Sequence, residues 1–336
     1  MPSSSRRAID WSRIPEADPD VVASVTELAD RAPEPAVAPK VLFGSAGWTD
    51  PTLVKSGTFY PRVSQSPQER LEFYARYFRL VEVDATYYSL LTAETASRWV
   101  EWTPEDFRFD VKAFPILTQH PIEIARLPAD LKAVLEAAGF ERRVYPDKVP
   151  NEVRQEIELR FRLMLEPLHE SGKLASVFLQ FPPWFTATRR NALHIENVAE
   201  RWHGMPLSVE FRHASWLAED RRESVLSLLR SSGLTYICVD EPHGENSGVP
   251  PVLAVTNPRL AVLRFHGKNA SGWQKKGATV HERFNYLYSP DELGAWVQGV
   301  QRLAGEAERV HAVFNNCVRN YAVLNARALA SLLLGA

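Results

Sequence analysis

From Val41 onward, eight short runs of β-branched and other apolar residues follow one another, and helical patterns separate most of them. The runs are "VLFGSAG", "LVEVDATYY", "FRFDVKAF", "ASVFLQFPP", "PLSVEFR", "TYICVD", "LAVLRFHG" and "RVHAVFNN". This alternation constrains the fold more than any other feature. Strands joined through helices pair in parallel, with right-handed crossovers. Eight such units predict an α/β fold of the TIM-type (β/α)8 barrel class. A doubly wound open sheet is the alternative, but no GxGxxG or GxxxxGK[ST] stretch follows any of the runs.

Two helices announce their starts. In "SPQERLEFYARYF", Ser66 is the N-cap, Pro67 takes the first helical position and Glu69 closes a capping box. In "SPDELGAWVQGVQRLA", Ser289, Pro290 and Glu292 repeat the device. The connection between the third and fourth strands is too long for one crossover helix. Its two helical stretches, "ADLKAVLEAAGF" and "NEVRQEIELRFRLMLEPLHESGK", predict a helical insertion over 115–174 that caps one mouth of the barrel. Residues 1–40, rich in Pro, Ala, Ser and Asp, are expected to be a disordered or loosely docked tail with one short amphipathic helix near Asp20–Ala29. Residues 41–336 are expected to form a single barrel domain.

The strands carry polar residues where a barrel wants apolar ones. Each wall strand is covered on both faces, so an unpaired charge in mid-strand costs several kcal/mol. Yet Glu82, Asp84 and Thr86 alternate on the second run, and Lys112 ends the third. Gln180 ends the fourth, Glu210 and Arg212 the fifth, and Asp240 the sixth. Arg264 and His266 alternate on the seventh; Asn315 and Asn316 end the eighth. All lie toward the carboxyl ends of their strands, the face where barrel enzymes place their chemistry. Carboxylates suit proton transfer or sugar hydroxyls, and basic groups suit an anionic or carbonyl-bearing ligand. The alternative for any one residue is a satisfied ion pair inside the barrel, such as Glu82 with Lys112 or Glu210 with Arg264.

Other features extend the candidate site. The loop "HGKNASGWQKKG", with Lys268, offers backbone N–H groups and a cation where this fold often binds phosphate; the alternative is a flexible polar loop. Trp48, Tyr87 and Tyr88 lie near strand ends, placed to stack on a ring, whereas Trp99, Trp102 and Trp296 are expected to pack. His213 either caps the site or closes the turn before Trp216. No HExxH stretch occurs and "GSAGW" is not a nucleophile elbow. No cofactor is expected; the alternative is a divalent metal on Glu210, Asp240 and His266, a site that Lys112, Arg212 and Arg264 would crowd with positive charge.

Composition narrows the function classes. A formal net charge of −2 supplies no global field for nucleic acid or membrane. No apolar run reaches the ~20 residues of a membrane helix, and the first residues lack the apolar core of a signal peptide. Cys238 and Cys317 form no CxxC pair, so a disulfide framework is not expected and a reducing cytoplasm fits; Cys238 reads as a small buried filler.

Several motifs together resemble one family. "GSAGWTD", "FYP" at Phe59–Pro61, "EFYARYFRLVEVDATYY", "FRFDVKAF", "GKLASVFLQFPPWF", "VEFRHASW", "VDEP", "LRFHGKN" and the late "FNN" with "NA" at Asn325–Ala326 are similar to the domain-of-unknown-function 72, or YecE-like, proteins. The resemblance spans roughly Val41 to Ala330. It implies a TIM-type barrel, with an outline similar to sugar isomerases and barrel endonucleases, and no particular reaction. This chain has Glu82-x-Asp84 where many relatives read Glu-x-Asn.

The expected function is acid–base chemistry on a small polar or anionic, carbohydrate-like molecule, as an isomerase, lyase or hydrolase. Glu210, Asp240, Lys112 and His266 are the expected catalytic residues. Trp48, Glu82, Asp84, Thr86, Tyr88, Gln180, Arg212, Arg264, Lys268, Asn315 and Asn316 are expected to contact the substrate. The alternatives are a ligand-binding module without catalysis, and endonuclease-like nucleic-acid processing, against which the net charge argues.

Overall fold

Eight parallel strands form a closed wall: β1 (Val41–Ser45), β2 (Leu80–Val83), β3 (Arg108–Lys112), β4 (Leu174–Gln180), β5 (Leu207–Glu210), β6 (Thr235–Asp240), β7 (Ala261–Phe265) and β8 (Val310–Phe314). The structure, a computed structural model, describes residues 9–62, 65–243 and 248–335. Hydrogen-bonded neighbours run β1, β8, β7, β6, β5, β4, β3, β2, and the two-residue strand Val37–Ala38 adds an antiparallel edge to β1. A parallel bridge between Ala46 and Glu82 joins the ends. Gly44 allows this closure, because a Cβ there would lie 2.2 Å from the carbonyl oxygen of Leu80.

Period-2 alternation sorts each strand into two faces. Outward residues such as Phe43, Val81, Phe109, Val177, Val209, Leu263 and Ala312 are buried beneath the helix layer. Inward, Leu42, Ala46, Leu80 and Val313 form a separate apolar cluster. Phe178, Ile237, Val239 and Val262 also face inward, and polar side chains take over toward the carboxyl ends of the strands.

The helices follow their sequence signals. Both capping boxes, at Ser66–Glu69 and Ser289–Glu292, are formed. They open α2 (Pro67–Tyr77) and α8 (Pro290–Glu306), and α3 (Ala93–Glu101), α6 (Arg189–Arg201) and α7 (Arg222–Ser231) make further crossovers. Between β3 and β4 the long stretch divides in two. Helix α5 (Asn151–Glu170) packs against α3 and serves as the ordinary crossover. The extra material precedes it: a small hairpin of Ile122–Glu123 with Arg143–Val144, and helix α4 (Ala129–Ala137).

The amino-terminal segment is docked more firmly than its composition suggests. Helix α1 (Pro19–Asp30), capped by Asp18, lies along the last helix, α9 (Tyr321–Leu334). It buries Val25 and Ala29, and Arg327 Nε donates to the Ala29 carbonyl at 3.1 Å. The reason lies in α9, whose sequence "YAVLNARALASLLL" is apolar on nearly every side. A helix of that kind must be covered all round, and α1 covers what the barrel does not. Residues 1–8 of the expected tail lie outside the described residues.

Candidate functional site

The lumen opens at the carboxyl ends of the strands into a ring of ion pairs. Arg264, on β7, reaches across the barrel and grips Glu82 of β2 with two parallel bonds, Nε to Oε2 at 2.7 Å and Nη2 to Oε1 at 2.6 Å. Its Nη1 donates to Glu210 Oε2 at 2.8 Å. All three side chains are almost completely buried. This fork geometry is the form in which a buried arginine recovers its desolvation cost.

Glu210 is the hub of the ring. Its Oε1 accepts from Gln180 Nε2 at 2.5 Å and lies 3.0 Å from Arg212 Nε and 3.2 Å from His266 Nε2. Burial works to raise its pKa, but the opposing charges, led by Arg264, hold it well below the usual carboxylate range. His266 is pushed well down by burial and by Arg212, and is therefore a neutral imidazole. Its Nδ1 faces Asn315 Nδ2 at 2.9 Å. With that amide donating, the proton sits on Nε2 and is donated to Glu210.

Above the ring the groups are less well paired. Lys112 ends β3, half-buried, with its Nζ 4.6 Å from the centre of the Tyr87 ring. Burial, then Arg264, brings its pKa down to about 8. It has no ion-pair partner among the described residues. Asp84 follows β2 and is pushed up to about 6, by burial and then by Glu82. Glu241 is pushed up to about 7 by burial, although Arg212 bonds to its carboxylate. Its Oε1 accepts the Val249 N–H at 3.0 Å.

Aromatic side chains wall the mouth. The Arg212 guanidinium lies 4.9 Å from the centre of the Trp273 ring, and Trp273 and Phe284 both pack on His266. On the opposite side, Tyr87, Tyr88, His120, Arg126 and Trp184 line a cavity of about 280 Å³. A second cavity of about 290 Å³ is lined by Gly47, Asp50, Asp84 and Tyr88.

The sequence matches the family described as "Protein of unknown function DUF72" over residues 42–335. The chain belongs to the DUF72 family. UPF0759 protein YunF of Bacillus subtilis (strain 168) is 30% identical over 296 residues, covering 87% of this chain and 94% of that protein. UPF0759 protein YecE of Escherichia coli (strain K12) is 24% identical over 287 residues, covering 75% and 87%. A crystal structure of a DUF72 family protein from Enterococcus faecalis V583 superposes with a TM-score of 0.72 at 26% identity, covering 88% of this chain and 95% of the other. Another from Thermotoga maritima MSB8 gives 0.67 at 29% identity, covering 88% and 99%.

Within this DUF72 barrel, Glu82, Asp84, Lys112, Gln180, Glu210, Arg212, Arg264, His266 and Asn315 all converge on the lumen. Tyr88 joins them at the rim. The expected catalytic residue Asp240 and four expected ligand contacts, Trp48, Thr86, Asn316 and Lys268, are placed elsewhere. Asp240 pairs in register with Phe265, on the outward face of the wall. It lies 3.9 Å from Lys268, and the inward carboxylate at this point is its neighbour Glu241, the first residue after β6. The possible metal trio of Glu210, Asp240 and His266 is therefore not brought together, and among the described residues no three His, Cys, Asp or Glu side chains are grouped to hold a metal. Asn316 is buried and structural, its Nδ2 donating to Tyr286 O and Asn325 Oδ1, both at 2.8 Å. Trp48 is buried edge-on against Trp99, 5.5 Å between centroids, and offers no platform. Thr86 spends its hydroxyl on the Lys112 carbonyl at 2.6 Å.

The loop after β7 also differs from the expected phosphate cradle. Lys268 lies 3.4 Å from Glu292, outside the ring, and Lys275 pairs with Glu282 at 2.6 Å. The loop folds back as a cover, and carries Trp273 and Phe284 over His266. Glu241, His120, Trp273 and Trp184 were not singled out from the sequence. Counting alternate positions from Val239, the register partner of Arg264, finds Glu241; the other three sit on loops with no periodic signal. Among the described residues, no helix is long and apolar enough to cross a membrane.

Proposed function

We propose that this protein is an enzyme that transfers protons on a small anionic, polyhydroxylated molecule at the carboxyl-terminal mouth of the barrel. The observation that carries this reading is Lys112. A half-buried ammonium whose one displayed contact is the Tyr87 ring, without an ion-pair partner among the described residues and with its pKa near 8, costs stability. Together with Asp84 near 6 it brackets neutral pH, the range in which acid–base partners work best. In this reading Lys112 and Asp84 exchange the proton, and Arg212 holds the anionic group. His266 and Glu241 border the substrate. Glu210, with both oxygens engaged, and Arg264 act as the rigid frame that positions the others.

The test is incubation of the protein in D₂O with a panel of sugar acids and sugar phosphates, followed by NMR. Binding is read by ligand-observed NMR in the same samples. One ligand is expected to exchange a C–H or convert, and Lys112→Met is expected to stop this. A ligand that binds but returns unchanged and undeuterated after long incubation would replace the enzyme reading with a binding module.

A further inference from the structure

The largest cavity described, about 780 Å³, is not at the ring but at the opposite, amino-terminal end of the barrel. Its lining includes three arginines and three histidines and no carboxylate. Arg108 starts β3, Arg309 immediately precedes β8, and Arg259 stands two residues before β7, so the guanidinium groups come from both sides of the strand ring. None of the three forms an ion pair among the described residues. Arg108 Nη1 donates only to the carbonyls of Glu105 and Phe107, at 3.0 and 2.9 Å. Asp106, a nearby acid, is engaged by Arg79 at 2.9 Å. Beneath the floor, Asp110 is held by His311 Nδ1 at 2.9 Å.

Cations at this end could instead serve the negative ends of the helix dipoles. That role belongs to side chains in the last helical turns, and Arg201 of α6 and Arg230 of α7 fill it. Arg108, Arg259 and Arg309 are not on helices. Arg108 is also half-buried, and its pKa is drawn down first by burial and then by the charge of Arg309. Asp106 and Glu105 offset this repulsion only in part, and among the described residues neither forms an ion pair with Arg108. The walls add neutral donors: Ser231, Ser232, Thr235 and Asn257 line the same space.

We propose that this cavity is a second binding site, distinct from the ring, for a small molecule carrying a multiply charged oxyanion such as a phosphate ester or diphosphate. Arginine suits this ligand because its planar fork matches phosphate oxygens two at a time. The volume is that of an ordinary small-molecule pocket.

Inorganic pyrophosphate is the probe, titrated calorimetrically into the full chain at low salt. Binding with one-to-one stoichiometry is expected in the wild type. Arg259→Ala combined with Arg309→Ala removes two exposed groups that anchor no core residue, and affinity is expected to fall at least about tenfold. Arg189→Ala combined with Arg190→Ala makes the same charge change on the exposed start of α6 and is expected to leave affinity within about twofold. Lys112→Met is expected to leave it unchanged as well. The proposal is overturned if the wild type gives no binding, if both arginine pairs weaken binding equally, or if Lys112→Met abolishes it while the Arg259/Arg309 variant retains it.

Discussion

Replacing Arg264 by Met tests the central ring most directly. The change keeps length and apolar bulk and removes the guanidinium that bridges Glu82 and Glu210. Glu82 loses both of these hydrogen bonds, each made by Arg264, while staying fully buried. Glu210 keeps Arg212, Gln180 and His266. Leaving one buried charge uncompensated costs about 3–5 kcal/mol, a large share of the 5–15 kcal/mol that holds a typical domain together. The loss should depend on pH. In the wild type the Glu210 pKa is held down, so its stabilisation is present above the unfolded value near 4.5 and is lost as pH falls through the folded value. Without Arg264, burial dominates and the folded pKa moves up. Its contribution is then favourable at low pH and lost as pH rises. The gap between variant and wild type should therefore widen from pH 5 to pH 8. Urea unfolding followed by circular dichroism at both pH values measures it. Adding Glu82→Gln to the variant should return part of the loss, because the orphaned charge is gone. A gap below about 1 kcal/mol, or one that narrows as pH rises, would refute the reasoning.

Three further outcomes are expected. Lys112→Met should leave urea stability equal or higher below pH 8, because the wild-type ammonium is a desolvated charge without an ion-pair partner among the described residues; the wild type should regain ground between about 8 and 10.5 as the folded amine deprotonates first. Reductive ¹³C-methylation and NMR titration of the wild type should then show one lysine near pH 8, and a spectrum with every lysine above 10 contradicts this. Asp84→Asn should stabilise the protein at pH 8 by about 1 kcal/mol, after discounting for solvent at the mouth. The effect should shrink as pH falls through about 6, where the wild-type carboxyl takes up its proton, and a pH-independent effect would count against it. Gly44→Ala should cost about 1–3 kcal/mol or more by forcing β1 off the Leu80 carbonyl, and thermal unfolding that matches the wild type would show that the seam can give.

Much of the candidate site was legible because period-2 alternation survives in the strands. Glu82 with Asp84, Glu210 with Arg212, and Arg264 with His266 read as same-face pairs, and the structure turns all of them inward. The reading failed where a strand ran into its loop. Asp240 is the last residue of β6, and without the register of its neighbours nothing decides whether it or Glu241 faces the lumen. Asn315 and Asn316 pose the same ambiguity at the end of β8, and only Asn315 meets His266. The loop after β7 misled for a different reason. Its Gly, Lys and Asn content suits a phosphate cradle, but Glu292 and Glu282, which follow it in the chain, pair with Lys268 and Lys275.

Local rules acting within a few residues sufficed to specify the helices, their caps, the strand order in the chain and hence the barrel class. Capping boxes, alternation and turn residues do not depend on distant partners. The long-range choices were different in kind. Arg264 and Glu82 lie 182 positions apart and meet only when the wall closes at Gly44. The docking of α1 depends on an apolar helix some 300 residues away that cannot be left uncovered. The depressed Lys112 and raised Asp84 depend on burial that no sequence window reports. Desolvation and charge pairing belong to the closed lumen, and tertiary structure alone decides which charges share it.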